Sequence, residues 1–475
     1  MNTQLSYVHG DSSIPLLGET IGENLKKTVE KFPKNDALIC SHQNYRATYE
    51  EFYEQTSQVA KAILHLGAKP GDRVGIWSPN RYEWVLLQYA TAKIGVILVN
   101  INPAYRTSEL IFVLNQSQIK YIFASLSFKT SNYKKMVEDA REFTSTLVDE
   151  VFFDENWDDF LKGAAHISDE ELQNYENQIQ FDDPVNIQYT SGTTGFPKGV
   201  TLSHHNILNN GYFIGIRLHY TEKDRVCIPV PFYHCFGMVI GNLCCTAHGS
   251  TMVIPNDSFD PKLTLEVVEK EKCTSLYGVP TMFIATLHEL DLKNYDLSSL
   301  RTGVMAGAVC PPEVMKRVEN QMNMKEVTIC YGMTETSPVS TQTKIGTPFE
   351  KQIHSVGTIH DHLEIKIINP ETGKSWGWSD VADLNYDNKE LRKEMTSDML
   401  HWIKNENIDG FRCDVAGNVP LDFWQQAIPQ LRREKNIFML AEAWEPELLK
   451  DGLFDMAYGW EAHHTMNRIA QGKNT

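Results

Sequence analysis

Tyr189-Thr190-Ser191-Gly192-Thr193-Thr194-Gly195-Phe196-Pro197-Lys198-Gly199 is the stretch that decides how this chain is read. A run alternating in apolar residues, Val185 to Tyr189, leads in, and a second strand-like run, Gly199-Val200-Thr201-Leu202, leads out. The stretch holds three glycines, four small hydroxyl side chains and one lysine. Glycine lets a backbone turn tightly and brings bare N–H groups close to a ligand. Hydroxyls add donors and Lys198 adds a positive charge, which together make a loop suited to phosphate oxygens. It is not a Walker A loop, because counting from Gly192 reaches Pro197 where that pattern needs glycine. A lone Gly-x-x-Gly would read as a hairpin turn. Four hydroxyls and a lysine in one turn favour the phosphate loop instead.

Upstream, the pattern is that of an α/β domain. Thr48-Tyr49-Glu50-Glu51 is a capping-box sequence, and Gly67 and Pro70 close the helix after it. Phe52, Val59, Ala60, Ile63 and Leu66 fall on one face of that helix. Arg73 to Trp77 reads as a strand, Tyr82 to Gly95 as a mostly apolar helix and Ile97 to Val99 as a strand. Glu109 to Gln116 reads as a helix and Tyr121 to Ala124 as a strand. Such alternation implies parallel βαβ units.

At 475 residues the chain is long enough for two to four domains. Its 42% apolar and 22% charged residues are those of a globular protein. The net charge is −17, from 61 acidic residues against 44 Lys and Arg, which argues against broad nucleic-acid or anionic-membrane binding. Nine cysteines include no Cys-x-x-Cys pair and no metal-ligand spacing. Met1 to Ser13 lacks the order of a signal peptide, and no apolar run approaches the ~18 residues of a membrane span. A reducing cytoplasm is the expected compartment.

Three further stretches belong with the loop. Pro231-Phe232-Tyr233-His234-Cys235-Phe236-Gly237 sets a histidine among aromatics, where either a core residue or a cavity wall is expected. Ala306-Gly307-Ala308 comes after a strand-like run and permits close approach of a flat ring or a chain, or simply tight packing. Tyr331-Gly332-Met333-Thr334-Glu335-Thr336 comes after the apolar run Val327 to Cys330. Glu335 can supply a carboxylate to the magnesium ion that ATP carries, Thr334 can donate to a phosphate, and Tyr331 can stack on adenine.

The loop at Tyr189–Gly199 resembles the signature loop of the adenylate-forming enzymes, specifically the AMP-forming acyl-CoA synthetases. Leu16 to Gly22 and Asn100 to Arg106 resemble the medium- and long-chain fatty-acid branch. The resemblance implies an adenylate-forming large N-terminal domain over residues 1–374, acting on a fatty acid with ATP, Mg2+ and coenzyme A. It implies nucleotide binding by Thr190, Ser191, Gly192, Thr193, Thr194, Gly195, Lys198, Gly307, Ala308, Tyr331, Gly332 and Thr334. It makes Glu335 the magnesium ligand and His234 a gate or wall, with His234, Thr334 and Glu335 as the residues nearest the chemistry. In that chemistry a carboxylate attacks the α-phosphorus of ATP, and coenzyme A then displaces AMP from the acyl-adenylate.

Past Lys374 the pattern changes. The synthetases' Thr-Gly-Asp segment, hinge and small domain with its lysine do not appear, so impaired turnover is expected. Asp380 to Tyr386, Gly410 to Asp414 and Leu440 to Trp444 resemble the α-amylase family of glycoside hydrolases instead. That resemblance implies an incomplete (β/α)8 barrel fragment over residues 376–475, with α-glucan as ligand. Asp414 would be nucleophile, Arg412 its orienting partner and Glu442 the acid. Uncovered apolar faces, a helix Leu421 to Glu434 interrupted at Pro429, and a junction between Thr372 and Ser379 of two unrelated pieces are expected.

Overall fold

The computed structural model describes residues 7–190, 197–367, 386–413, 416–443 and 445–459, with Thr465. The chain divides into two compact units, Met1–Ile368 and Asn369–Thr475.

The first unit is built on two large sheets. One has six strands in the order Lys198–Ser203, Pro184–Thr190, Ile97–Asn100, Arg73–Trp77, Ile119–Ala124 and Asp149–Phe152. All neighbours in it are parallel except the first pair. The other has nine strands, with a parallel centre running Glu326–Gly332, Thr302–Ala306, Ser275–Gly278, Arg225–Cys227, Thr251–Ile254 and Asp36–Cys40. Antiparallel strands Val339–Gln342, Thr358–Ile359 and Tyr45–Thr48 complete it at its two ends. The helices Tyr82–Lys93 and His204–Arg217 touch both sheets.

Sequence accounts for these elements locally. In the helix Tyr49–His65 the Thr48 hydroxyl accepts the Glu51 N–H, and the Glu51 carboxylate accepts the Thr48 N–H at 2.8 Å. Every residue from Glu83 to Lys93 is buried, as expected of a helix apolar on all sides. Arg81, just before it, spends its guanidinium on both oxygens of Glu83 at 2.8 and 2.9 Å and on Asp154 at 2.9 and 3.1 Å.

The decisive stretch forms the end of a hairpin. Pro184–Thr190 pairs antiparallel with Lys198–Ser203, closing on Thr190 opposite Lys198. Ser191, Gly192, Thr193, Thr194 and Gly195 lie outside the described residues.

His204, which opens the next helix, is fully buried, and its Nδ1 accepts the Ile21 N–H at 3.2 Å. Burial pulls its pKa from 6.5 down to about 4. The unfolded chain therefore takes a proton near pH 6.5 that the folded chain refuses, so stability present above that pH is lost as the pH falls. Buried His360 is shifted in the same direction. We expect His204 to contribute a loss of about 2 kcal/mol between pH 7 and pH 5. Urea unfolding at the two pH values would check this: His204→Asn should lose less than the parent, and equal losses would contradict the assignment.

The second unit holds the parallel strands Gly410–Cys413, Phe438–Ala441 and Met456–Ala457 in that order, with the helices Lys389–Asn405 and Leu421–Glu434. Three sequence expectations need correction here. The helix Leu421–Glu434 runs through Pro429 unbroken. Its buried face of Phe423, Trp424, Ala427, Ile428 and Leu431 outweighs the one lost N–H. The apolar faces are covered in part: these residues pack with Met439, Ala441, Leu448 and Phe454 into a core of the unit's own, while Trp402, Phe438 and Met456 stay exposed. The incomplete barrel is not supported either: the described residues form an open sheet of three strands.

Among the described residues no helix is long and apolar enough to cross a membrane, and all nine cysteines are buried and free.

Candidate active site

The parallel strands Thr302–Ala306 and Glu326–Gly332 lie side by side, with Ala306 opposite Cys330. The segments leaving the two strands therefore emerge at one sheet end. After the first comes Gly307, at φ +87°, a left-handed backbone that favours glycine. The second ends in Tyr331 and Gly332 and runs on into the short 3-10 turn Thr334–Thr336. A Cβ on Gly332 would lie 1.8 Å from the Pro338 carbonyl oxygen, so only glycine lets the chain double back here.

These segments meet the hairpin around a cavity of about 470 Å3. Of the residues expected at the site, Thr190, Lys198, His234 and Gly307 line it, and so do Tyr331, Gly332, Thr334 and Glu335. Ala308 instead lines an adjoining cavity of about 580 Å3, which shares Gly307, Tyr331 and Gly332 with the first. The Tyr331 ring is half exposed between the two, open to stacking.

Lys198 and Glu335 are the charged side chains among the described lining residues, and both are exposed. A lone carboxylate suits magnesium, which keeps most of its shell for water and substrate phosphates and rarely takes an all-protein cage. No cluster of three or more His, Cys, Asp or Glu suited to a metal occurs among the described residues. The donor set thus fits a magnesium ion held by Glu335 together with phosphate oxygens.

His234 sits on the cavity wall. Its Nδ1 accepts the Phe236 N–H at 3.1 Å, which leaves the ring proton on Nε2. Burial by its neighbours lowers its pKa and keeps the ring neutral. Thr334 is buried.

The cavity also has an apolar part: Phe236, from the stretch quoted around His234, lines it together with Ile240 and Val339, which sequence reading missed. Phe236 and Ile240 belong to Phe236–Leu243, which winds as a π-helix, a form common at functional sites. Nothing in its apolar sequence distinguishes that winding from an ordinary core helix. The signal available was its place directly after His234.

In the second unit, the Arg412 guanidinium pairs with Glu442 at 2.7 Å and donates to the Tyr458 hydroxyl at 3.2 Å. The Glu442 N–H donates to the Cys413 carbonyl at 3.0 Å. The expected partner of Arg412, Asp414, lies outside the described residues.

The family model described as AMP-binding enzyme matches residues 25–380, three quarters of the chain. The chain belongs to the AMP-binding enzyme family. The model described as alpha amylase, catalytic domain, matches residues 376–470 of this family member. Among its relatives is "Medium-chain acyl-CoA ligase ACSF2, mitochondrial" of Danio rerio, 39% identical over 453 residues, covering 87% of this chain and 74% of that protein. "Putative acyl-CoA synthetase YngI" of Bacillus subtilis is 43% identical over 377 residues, covering 75% and 68%. Against the Homo sapiens ACSF2 ligase the identity is 37%, and the chain spans 64% of its length. A solved structure, the long-chain-fatty-acid-CoA ligase FadD1 from Archaeoglobus fulgidus, superposes with a TM-score of 0.67 at 22% identity, covering 79% of this chain and 76% of that one. At that identity the likeness speaks for the fold alone.

Proposed function

We propose that the first unit activates a medium- or long-chain fatty acid with ATP, forming acyl-adenylate and releasing pyrophosphate. The observation that carries this reading is the meeting of a lysine, a hydroxyl-bearing turn with one exposed carboxylate, and an apolar wall around a single cavity. The acyl chain lies against Phe236, Ile240 and Val339. The fatty-acid carboxylate attacks the α-phosphorus, and the bond to the pyrophosphate oxygen breaks. Lys198 offsets the charge on the phosphates, and the Thr334 hydroxyl donates to an α-phosphate oxygen. Glu335 would hold a magnesium ion, which would supply further charge neutralisation. Neutral His234 shapes the wall between acyl chain and nucleotide. Positioning and electrostatics of this kind account for most of such a reaction, with no covalent help from the protein.

The residues of the Tyr189–Gly199 loop and Tyr331–Gly332 bind the phosphates and adenine, with Gly307 and Ala308 against the ring. Coenzyme A, whose thiol would displace AMP from the acyl-adenylate, completes the proposed cycle. The name of the Danio rerio relative, a medium-chain acyl-CoA ligase, supports the fatty-acid class of substrate. We assign residues 1–374 to this activity and 376–475 to a separate amylase-like segment, in a reducing compartment.

Isothermal titration tests the reading. The intact chain is expected to bind magnesium-ATP, and no binding at millimolar nucleotide would contradict it.

A further inference from the structure

Gln188 stands two residues before Thr190 on the strand Pro184–Thr190, so it shares the face that reaches the cavity. It lies opposite Asn100 on one side and Val200 on the other, and it is 2% exposed. Its Oε1 accepts the Cys235 thiol proton at 2.8 Å, and its Nε2 donates to the Met238 sulfur at 2.9 Å. A thioether can only accept, and a thiol donates, so both ends of the amide are committed and its orientation is fixed. Asn100 adds to the grip. Its Nδ2 donates to the same Met238 sulfur at 3.2 Å and to the Tyr233 carbonyl at 3.1 Å. Its Oδ1 accepts from Asn186 at 2.9 Å.

The segment from Tyr233 to Met238 is thus held at three points, with His234 between them. Cys235, Met238, Asn100 and Asn186 are all buried. Buried amides cost free energy unless every polar atom is matched, and a leucine would fill the same space with no such demand. Amides at these positions therefore set geometry that packing alone would leave loose. Cys235, next to His234, is tied to the strand by its bond to Gln188. Burial pushes this thiol up to about 12, so it serves as a hydrogen-bonding group and not as a nucleophile.

We propose that Gln188 is a positioning residue. Through Cys235 and Met238 it fixes the His234 turn against the strand that carries the phosphate loop. The inference rests on the adenylation reading above for its consequence, though not for its geometry.

The test compares the intact chain with Gln188→Leu, Cys235→Ala and the double variant. The first readout is the titration of the His234 ring by NMR, assigned with His234→Gln. The second is magnesium-ATP affinity by titration calorimetry. In Gln188→Leu the His234 turn loosens and hydrates, so its pKa rises toward 6.5. Affinity for magnesium-ATP falls by about tenfold in either single variant. The double variant should be no weaker than either, since both changes break one chain of contacts. An unchanged His234 titration in folded Gln188→Leu would overturn the proposal, as would losses that add in the double variant. Should Gln188→Leu fail to fold, the same two readouts on Cys235→Ala decide it: no change in affinity there overturns it. A parent chain that binds no magnesium-ATP would contradict the adenylation reading, and the His234 titration would still decide the positioning role.

Discussion

Glu335→Gln is expected to lower magnesium-dependent adenylate formation by roughly a hundredfold or more. The change keeps the shape of the side chain and removes its charge. Glu335 is the one carboxylate among the described residues lining the cavity, so no neighbour can take over its role. The loss should appear as a fall in rate at saturating magnesium, with nucleotide affinity in magnesium-free buffer little altered. Pyrophosphate exchange over a magnesium series, with nucleotide titration in magnesium-free buffer, measures both. A variant as fast as the parent would show that Glu335 is only a solvated residue at the start of a turn.

Arg81→Met is expected to cost about 3–5 kcal/mol of stability, the largest single effect foreseen in the fold. Arg81 and Glu83 are 8% and 3% exposed, and the guanidinium binds both Glu83 oxygens. Methionine fills similar space but leaves Glu83 a buried charge without its counter-ion at the start of the central helix, with the Gln43 amide at 2.9 Å as its remaining side-chain donor. Asp154 is half in solvent and adds little to this cost. Urea unfolding measures the difference. Adding Glu83→Gln to Arg81→Met should recover part of the loss, because the stranded charge is then gone. A loss below about 1 kcal/mol in Arg81→Met would show that Glu83 is solvated well enough without its partner.

Much of the first unit was legible because its signals are local. The Thr48 capping box formed as read, and the strand Arg73–Trp77 has the bounds its residues suggested. The two arms of the hairpin at Thr190 and Lys198 came from alternation alone. The illegible part is non-local. Asp36–Cys40 pairs with Thr251–Ile254, more than two hundred residues later, and no local pattern encodes that partner. The same holds at the site. Lys198, Thr334 and Glu335 announce themselves by charge or hydroxyl, whereas Ile240 and Val339 look like any core residue until the sheets bring them to the cavity. Gln188 carries no signal of its own, because an amide in an alternating strand is ordinarily solvent-facing. It is buried because the turn after His234 covers it.

Pro429 teaches the converse. A proline inside a helical pattern argues for a break, yet the helix Leu421–Glu434 continues because five apolar residues on one face are buried together. Tertiary packing decides where local propensity conflicts with it. The strand Met456–Ala457 was missed for a related reason, since its two residues carry no strand pattern of their own and are placed by pairing with Leu440 and Ala441.

The most direct test of adenylation is ATP–pyrophosphate exchange by the intact chain, with fatty acids of graded length and magnesium present. The expected result is exchange that needs both fatty acid and magnesium and falls sharply in Lys198→Ala. Absence of exchange with every fatty acid, in a chain that melts cooperatively, would contradict it.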